Sequence, residues 1–140
     1  MSMFRVRSLV LYIAFALSTS VVSFGQISLA TVTNLDMPAY PPLARTARVE
    51  GKVKIDIEIS RWGSVLSAKT SGGHELLQTY AIRNVTTWRF NPSPEAKTAT
   101  VFYEFRIAGT PDKPVARVTF DGDTVLIETT PPVIDSQTAH

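Results

Sequence analysis

The chain has 140 residues, with 14 Lys and Arg against 12 Asp and Glu, two histidines and no cysteine. That length holds one domain with an adequate core, and the lack of cysteine excludes a disulfide framework, a thiolate metal site, a cysteine nucleophile and an acylated lipobox cysteine. Without Arg5 and Arg7 the basic count falls from 14 to 12 against 12 acidic residues, so a nucleic-acid interface, which needs a basic stripe to displace phosphate counterions, is excluded as well.

Residues 1–25 differ in kind from the rest of the chain. Arg5 and Arg7 precede an apolar run from Leu9 to Leu17, and small and polar residues lead to Ser23-Phe24-Gly25. This is the tripartite shape of a secretory signal, with Ser23 and Gly25 suited to the peptidase positions and cleavage expected after Gly25. The rival reading keeps Leu9 to Phe24 as an uncleaved inner-membrane anchor, although the run falls short of the ~20 apolar residues a spanning helix needs. The chain is therefore expected to be exported, or held at the inner membrane by a single anchor if the segment stays.

Residues 26–36 read as a short first strand or a tether. Pro38, Pro41 and Pro42 then forbid regular structure, but Pro42 suits the first turn of a helix, predicted to run to about Ala47. After Gly51, the stretch Lys52 to Ile59 alternates polar and β-branched residues without a lapse. It predicts a strand with Val53, Ile55, Ile57 and Ile59 on a buried face and Lys52, Lys54, Asp56 and Glu58 on a wet one. Arg61 to Ser64 turns the chain, and Val65 to Thr70 returns as a second strand of a hairpin. Ser71-Gly72-Gly73 ends it. From Glu75 to about Thr87, Leu77, Ala81 and Val85 recur at helical spacing, giving the helix that covers the sheet.

Pro92 and Pro94 prevent that helix from continuing. Thr98 to Ile107, rich in β-branched and aromatic residues, is a third long strand. Val115 to Phe120 and Thr124 to Thr129 flank Asp121-Gly122-Asp123 and predict a hairpin, followed by a tail from Pro131 to His140. The order gives an α+β fold: a three-stranded antiparallel sheet covered by one main helix and a short N-terminal helix, with an added C-terminal β-hairpin. The expected divisions are 1–25, 26–36, 37–108 and 109–140.

Four blocks in this chain resemble the signature of the TonB C-terminal domain. They are Tyr40-Pro41 with Ala44-Arg45 and Gly51, then Gly63-Ser64-Val65, Ser71-Gly72, and Trp88-Arg89-Phe90 followed by Pro92. They fall in order over Met37 to Ile107, half of the chain. Physically each serves turn or core, so the motif marks a fold and not a reaction centre. The resemblance implies a non-enzymatic periplasmic module that binds the TonB box peptide of outer-membrane transporters or receptors in energy-coupled transport. It also implies the mode, in which an extended peptide pairs with the last long strand. By position the partner-binding residues are Thr100, Val101, Phe102, Tyr103, Glu104, Phe105, Arg106 and Ile107, with Phe102, Glu104 and Arg106 facing outward.

Three departures narrow that expectation. The tether spans at most about 40 Å of extended chain, too short to cross a periplasm. The candidate anchor carries no His, Asp, Glu or Lys with which to join a proton relay. The added hairpin is placed to pair beside Thr100 to Ile107, where it would cap the sheet or serve a homodimer. The alternative is therefore a structural or self-associating envelope module that uses the same sheet edge without energy transduction. Membrane contact is expected only through an uncleaved N-terminus or a partner.

Other chemistry is weak in this sequence. Ser71 and His74 sit at a glycine break and a helix start, where capping explains both. His74 and His140 have no metal-ligand spacing, Asp121 and Asp123 read as turn residues, and no glycine loop cradles a phosphate. No catalytic residue, metal or cofactor is expected.

Overall fold

The computed structural model describes residues 32–133. The signal or anchor expected at 1–25 lies outside the described residues. Among the described residues no helix is long and apolar enough to cross a membrane.

The central strand is the one with the strictest alternation. β2 (Gly51–Ile59) buries Val53, Ile55, Ile57 and Ile59 and turns Lys52, Lys54, Asp56 and Glu58 to solvent. A strand apolar on one face must be covered on that face. β3 (Val65–Thr70) pairs antiparallel on one edge, with Ile57 opposite Ala68. On the other edge runs β5 (Lys97–Ile107), antiparallel over nine residues with Ile55 opposite Val101. α2 (Glu75–Val85) lays Leu77, Ala81 and Val85 on the apolar face. Its first turn is capped by His74, whose Nδ1 accepts from the Leu76 N–H at 3.2 Å. The short helix α1 (Pro42–Thr46) begins on a proline and buries Ala44.

The N-terminal strand β1 (Val32–Asn34) pairs with β4 (Arg89–Phe90) in a small separate sheet. The Phe90 N–H donates to the Gly63 carbonyl at 2.9 Å, closing the turn after β2 onto the end of α2. Gly63 has φ +90, and a Cβ there would lie 1.9 Å from the Phe90 carbonyl oxygen, so the turn admits no side chain.

One expectation is corrected. The main sheet is five-stranded and mixed, in the order β3-β2-β5-β9-β8, where β8 is Ala116–Asp121 and β9 is Thr124–Thr129. The expected hairpin is present, but it is part of the sheet: β9 runs parallel to β5, with Phe102 opposite Thr124 and Ile107 opposite Thr129. The cause is the hairpin's own apolar face. Val125 and Ile127 become buried, and Phe120 packs against Trp88 with ring centroids 6.5 Å apart. Burying an aliphatic side chain is worth about 1.5–3 kcal/mol, and the edge of β5 not taken by β2 offers both cover and backbone partners. A small ribbon, β6 (Gly109–Thr110) with β7 (Lys113–Pro114), carries the chain across.

The core is tied together by one polar side chain. Asn84, on α2, accepts at Oδ1 from the Tyr103 hydroxyl at 2.7 Å and from the Trp88 indole N–H at 3.1 Å. Its Nδ2 donates to the Asp36 carbonyl at 2.7 Å. Trp88 and Tyr103 are fully buried, so Asn84 is what lets two large aromatic groups with polar handles enter the core. Asn84→Leu is expected to strand both donors and to destabilise the fold by about 2–4 kcal/mol, whereas Tyr103→Phe removes one bond and costs about 1 kcal/mol. Urea unfolding followed by circular dichroism checks the order of the two.

Candidate functional site

The residues expected to meet a partner, Thr100 to Ile107, all lie on β5, and the structure divides them by face. Val101, Tyr103 and Phe105 point into the core. They can offer a partner only their backbone. Phe102 and Glu104 are half-buried and Arg106 is exposed on the opposite face. There Thr100 donates from Oγ1 to Asp56 Oδ1 at 2.7 Å, and the Ile107 N–H is held by the Glu50 carboxylate.

By edge, the same strand is paired on both sides from Phe102 to Phe105. β2 takes one edge as far as Phe105. On the other edge the Phe102 N–H donates to the Asp123 carbonyl at 2.9 Å and the Ala108 N–H to the Thr129 carbonyl at 2.8 Å. Between these two bonds, strand alternation turns the N–H groups of Glu104 and Arg106 to β9 as well. Thr100 and Val101 precede the first β5–β9 pair, so the hairpin closes Phe102 to Ile107 and leaves the start of β5 without a strand neighbour on that side among the described residues.

The hairpin is fastened at three further points. On the outer face a row of alternating charge crosses four strands. Lys52 lies 3.9 Å from Glu104, Glu104 2.6 Å from Arg106, Arg106 3.9 Å from Glu128, and Glu128 3.8 Å from Arg117. The cations of these pairs are exposed, so the row holds register more than it adds stability. At the open end of the hairpin the Thr130 hydroxyl donates to the Val115 carbonyl at 3.0 Å and accepts from the Val115 N–H. From α1, Arg45 Nε donates to the Thr130 carbonyl at 2.8 Å. Sequence reasoning did not pick out Glu50, Glu128, Arg117, Thr130 or Arg45 for these contacts. The only available signal was the alternation of Arg117 and Glu128 with apolar neighbours, which places them on a wet face but does not pair them.

Two other features bear on the site. Tyr40 packs edge-on against Phe105, 5.5 Å between centroids, and donates its hydroxyl to the Val49 carbonyl, which fixes the chain before α1 against β5. Next to α2, a cleft of about 250 Å³ is lined by Asp36 to Ala39, Tyr80, Arg83, Asn84 and Thr87. It holds no arrangement of nucleophile and base.

The profile of the Gram-negative bacterial TonB protein C-terminal family matches residues 36–108, a little over half of the chain. No curated protein matches. Among solved structures, the chain is similar to the solution NMR structure of the Pseudomonas aeruginosa TonB C-terminal domain. The two share 26% identity with a TM-score of 0.50, over 56% of this chain and 86% of that one. The matched segment stops at Ala108, so β8 and β9 come after it.

Tyr40 gives a pH signature. Its phenol is pushed up from 10.0 to about 12, by burial first and then by the negative charge of Glu50; burial also pushes Tyr103 upward. A phenol held protonated by the fold contributes stability that is complete below pH 10 and is lost as pH rises through about 12. Stability measured by urea unfolding is expected to fall across that window, and to fall less steeply in Tyr40→Phe. An equal slope in both proteins contradicts the assignment.

Proposed function

The chain belongs to the Gram-negative bacterial TonB protein C-terminal family, and on that premise we propose that it is a non-enzymatic, periplasmic protein-binding module. Its partner is the extended TonB box segment of an outer-membrane transporter or receptor. The segment adds as a strand to β5, where Thr100 to Ile107 supply the backbone groups and Phe102, Glu104 and Arg106 the side chains it senses. One observation carries the reading: a strand from outside the family segment already lies along Phe102 to Ile107 in unbroken register over six residues. That edge of β5 is therefore competent to receive a strand.

The same observation sets a condition. The peptide and β9 claim the same N–H groups, so binding along the whole of Thr100 to Ile107 requires the hairpin to give way. Releasing Val125 and Ile127 from the core costs on the order of several kcal/mol, a large share of what a short peptide gains in backbone bonds. Thr100 and Val101, ahead of the hairpin tip, give the peptide a first foothold.

A second reading is favoured by the closure itself. A family fold whose β5 is paired on both edges also suits a structural envelope module without energy transduction.

A lock on the hairpin separates the two. The chain has no cysteine, so Ile107→Cys with Thr129→Cys introduces one possible disulfide, between positions that face each other across β5 and β9 and spare the side chains the peptide senses. Binding of a synthetic TonB box peptide from a transporter of the same bacterium is measured by calorimetry, reduced and oxidised. The expected result is affinity in the reduced protein and at least a tenfold loss on oxidation. Equal affinity in the two forms removes the β5 site, and no affinity in the reduced form or the wild type leaves the structural reading.

A further inference from the structure

We propose that the free edge of β8 (Ala116–Asp121) is a self-complementary surface that joins two copies of this chain through one continuous sheet. The inference deepens the structural reading above, and it stands whether or not a transporter peptide binds β5.

The backbone comes first. Val115 turns both its N–H and its C=O to the Thr130 side chain, which lies on the β9 side. Strand alternation from that point directs the backbone groups of Arg117, Thr119 and Asp121 to β9 and those of Ala116, Val118 and Phe120 away from it. β8 is the last strand of its sheet, so the outward groups meet no strand among the described residues. An edge of six residues without proline or bulge is a template for another strand.

The occupant is identified by reading the edge against itself. Set two β8 strands antiparallel about a twofold axis at Thr119. Arg117 then lies opposite Asp121 of the second copy, Val118 opposite Phe120 of the second copy, and Thr119 opposite its own equivalent. Opposite charges, a β-branched side chain on an aromatic one, and threonine on threonine are each favourable cross-strand pairs. The backbone agrees with this register. Val118 and Phe120, which hold the free N–H and C=O groups, fall opposite one another as hydrogen-bonded pairs, and Thr119 falls in the closer non-bonded pair.

Side-chain faces agree as well. Val118 and Phe120 are half-buried on the core face beside Ile127 and Val125, so pairing continues the apolar layer across the axis. Arg117, Thr119 and Asp121 are exposed on the opposite face. The other outer strand, β3, lacks this property: its one charged residue is Lys69, which in any antiparallel self-pairing meets a neutral side chain or its own equivalent. A twofold contact of this kind is isologous and closes at two copies, which avoids the open-ended growth an edge otherwise invites.

The test uses the absence of native cysteine. Thr119→Cys is expected to form an intermolecular disulfide rapidly under mild oxidation, while Lys69→Cys, equally exposed on the β3 edge, stays monomeric. In sedimentation equilibrium, Asp121→Arg is expected to weaken self-association roughly tenfold by setting like charges opposite at both ends of the interface, and adding Arg117→Asp to recover it. Thermal unfolding of each variant confirms that it folds. A protein that stays monomeric up to millimolar concentration overturns the proposal. So do equal cross-linking rates at positions 119 and 69, or a charge swap that fails to recover association. Calorimetry with the TonB box peptide on Asp121→Arg reports the β5 site separately, so either result can fail alone.

Discussion

The parallel pairing of β9 along Phe102 to Ile107 determines what this sheet is and what it can receive. It satisfies the second edge of β5, buries Val125 and Ile127, and brings Phe120 to Trp88. Without it β5 would be an eleven-residue edge strand, apolar on one face, with a row of open backbone groups. With it, the outer edge of the sheet moves two strands away, to β8. The family segment and the added hairpin therefore form one core, although only the first part matches the family.

Much of this was legible in the sequence because the signals are local. The alternation from Lys52 to Ile59 fixes β2 and its faces, the spacing of Leu77, Ala81 and Val85 fixes α2, and Asp121-Gly122-Asp123 fixes a two-residue hairpin turn. Gly122 supplies the φ of +60 that such a turn requires. The four family blocks turn out to be structural where the structure reports on them. Gly63 admits no side chain, Trp88 is fully buried, and Tyr40 fastens the chain to Phe105 and Val49.

What was not legible was long-range. Nothing in Thr124 to Thr129 states that it pairs parallel to a strand some twenty residues earlier. Parallel partners need a crossover, and the register across it is set by which apolar side chains find cover. The Asn84 hub was hidden for a related reason. An asparagine near a helix end reads as an ordinary solvated residue, and its value lies in Tyr103 and Trp88, which only the fold brings to it. For the candidate site, the sequence placed the strand and its outward residues, and it raised the hairpin as a rival for the edge. It did not show that Thr100 and Val101 lie ahead of the hairpin while the rest are closed.

Whether that edge is closed in solution is the point on which the account turns, and backbone hydrogen exchange of the free protein reads it directly. The N–H groups of Phe102, Glu104 and Arg106 face β9, whereas those of Val101, Tyr103 and Phe105 face β2. The account predicts that both sets are protected to a similar degree and that the Thr100 amide, ahead of the hairpin, exchanges faster. Exchange of Phe102, Glu104 and Arg106 as fast as Thr100, with Val101, Tyr103 and Phe105 still protected, would show an open edge and contradict it.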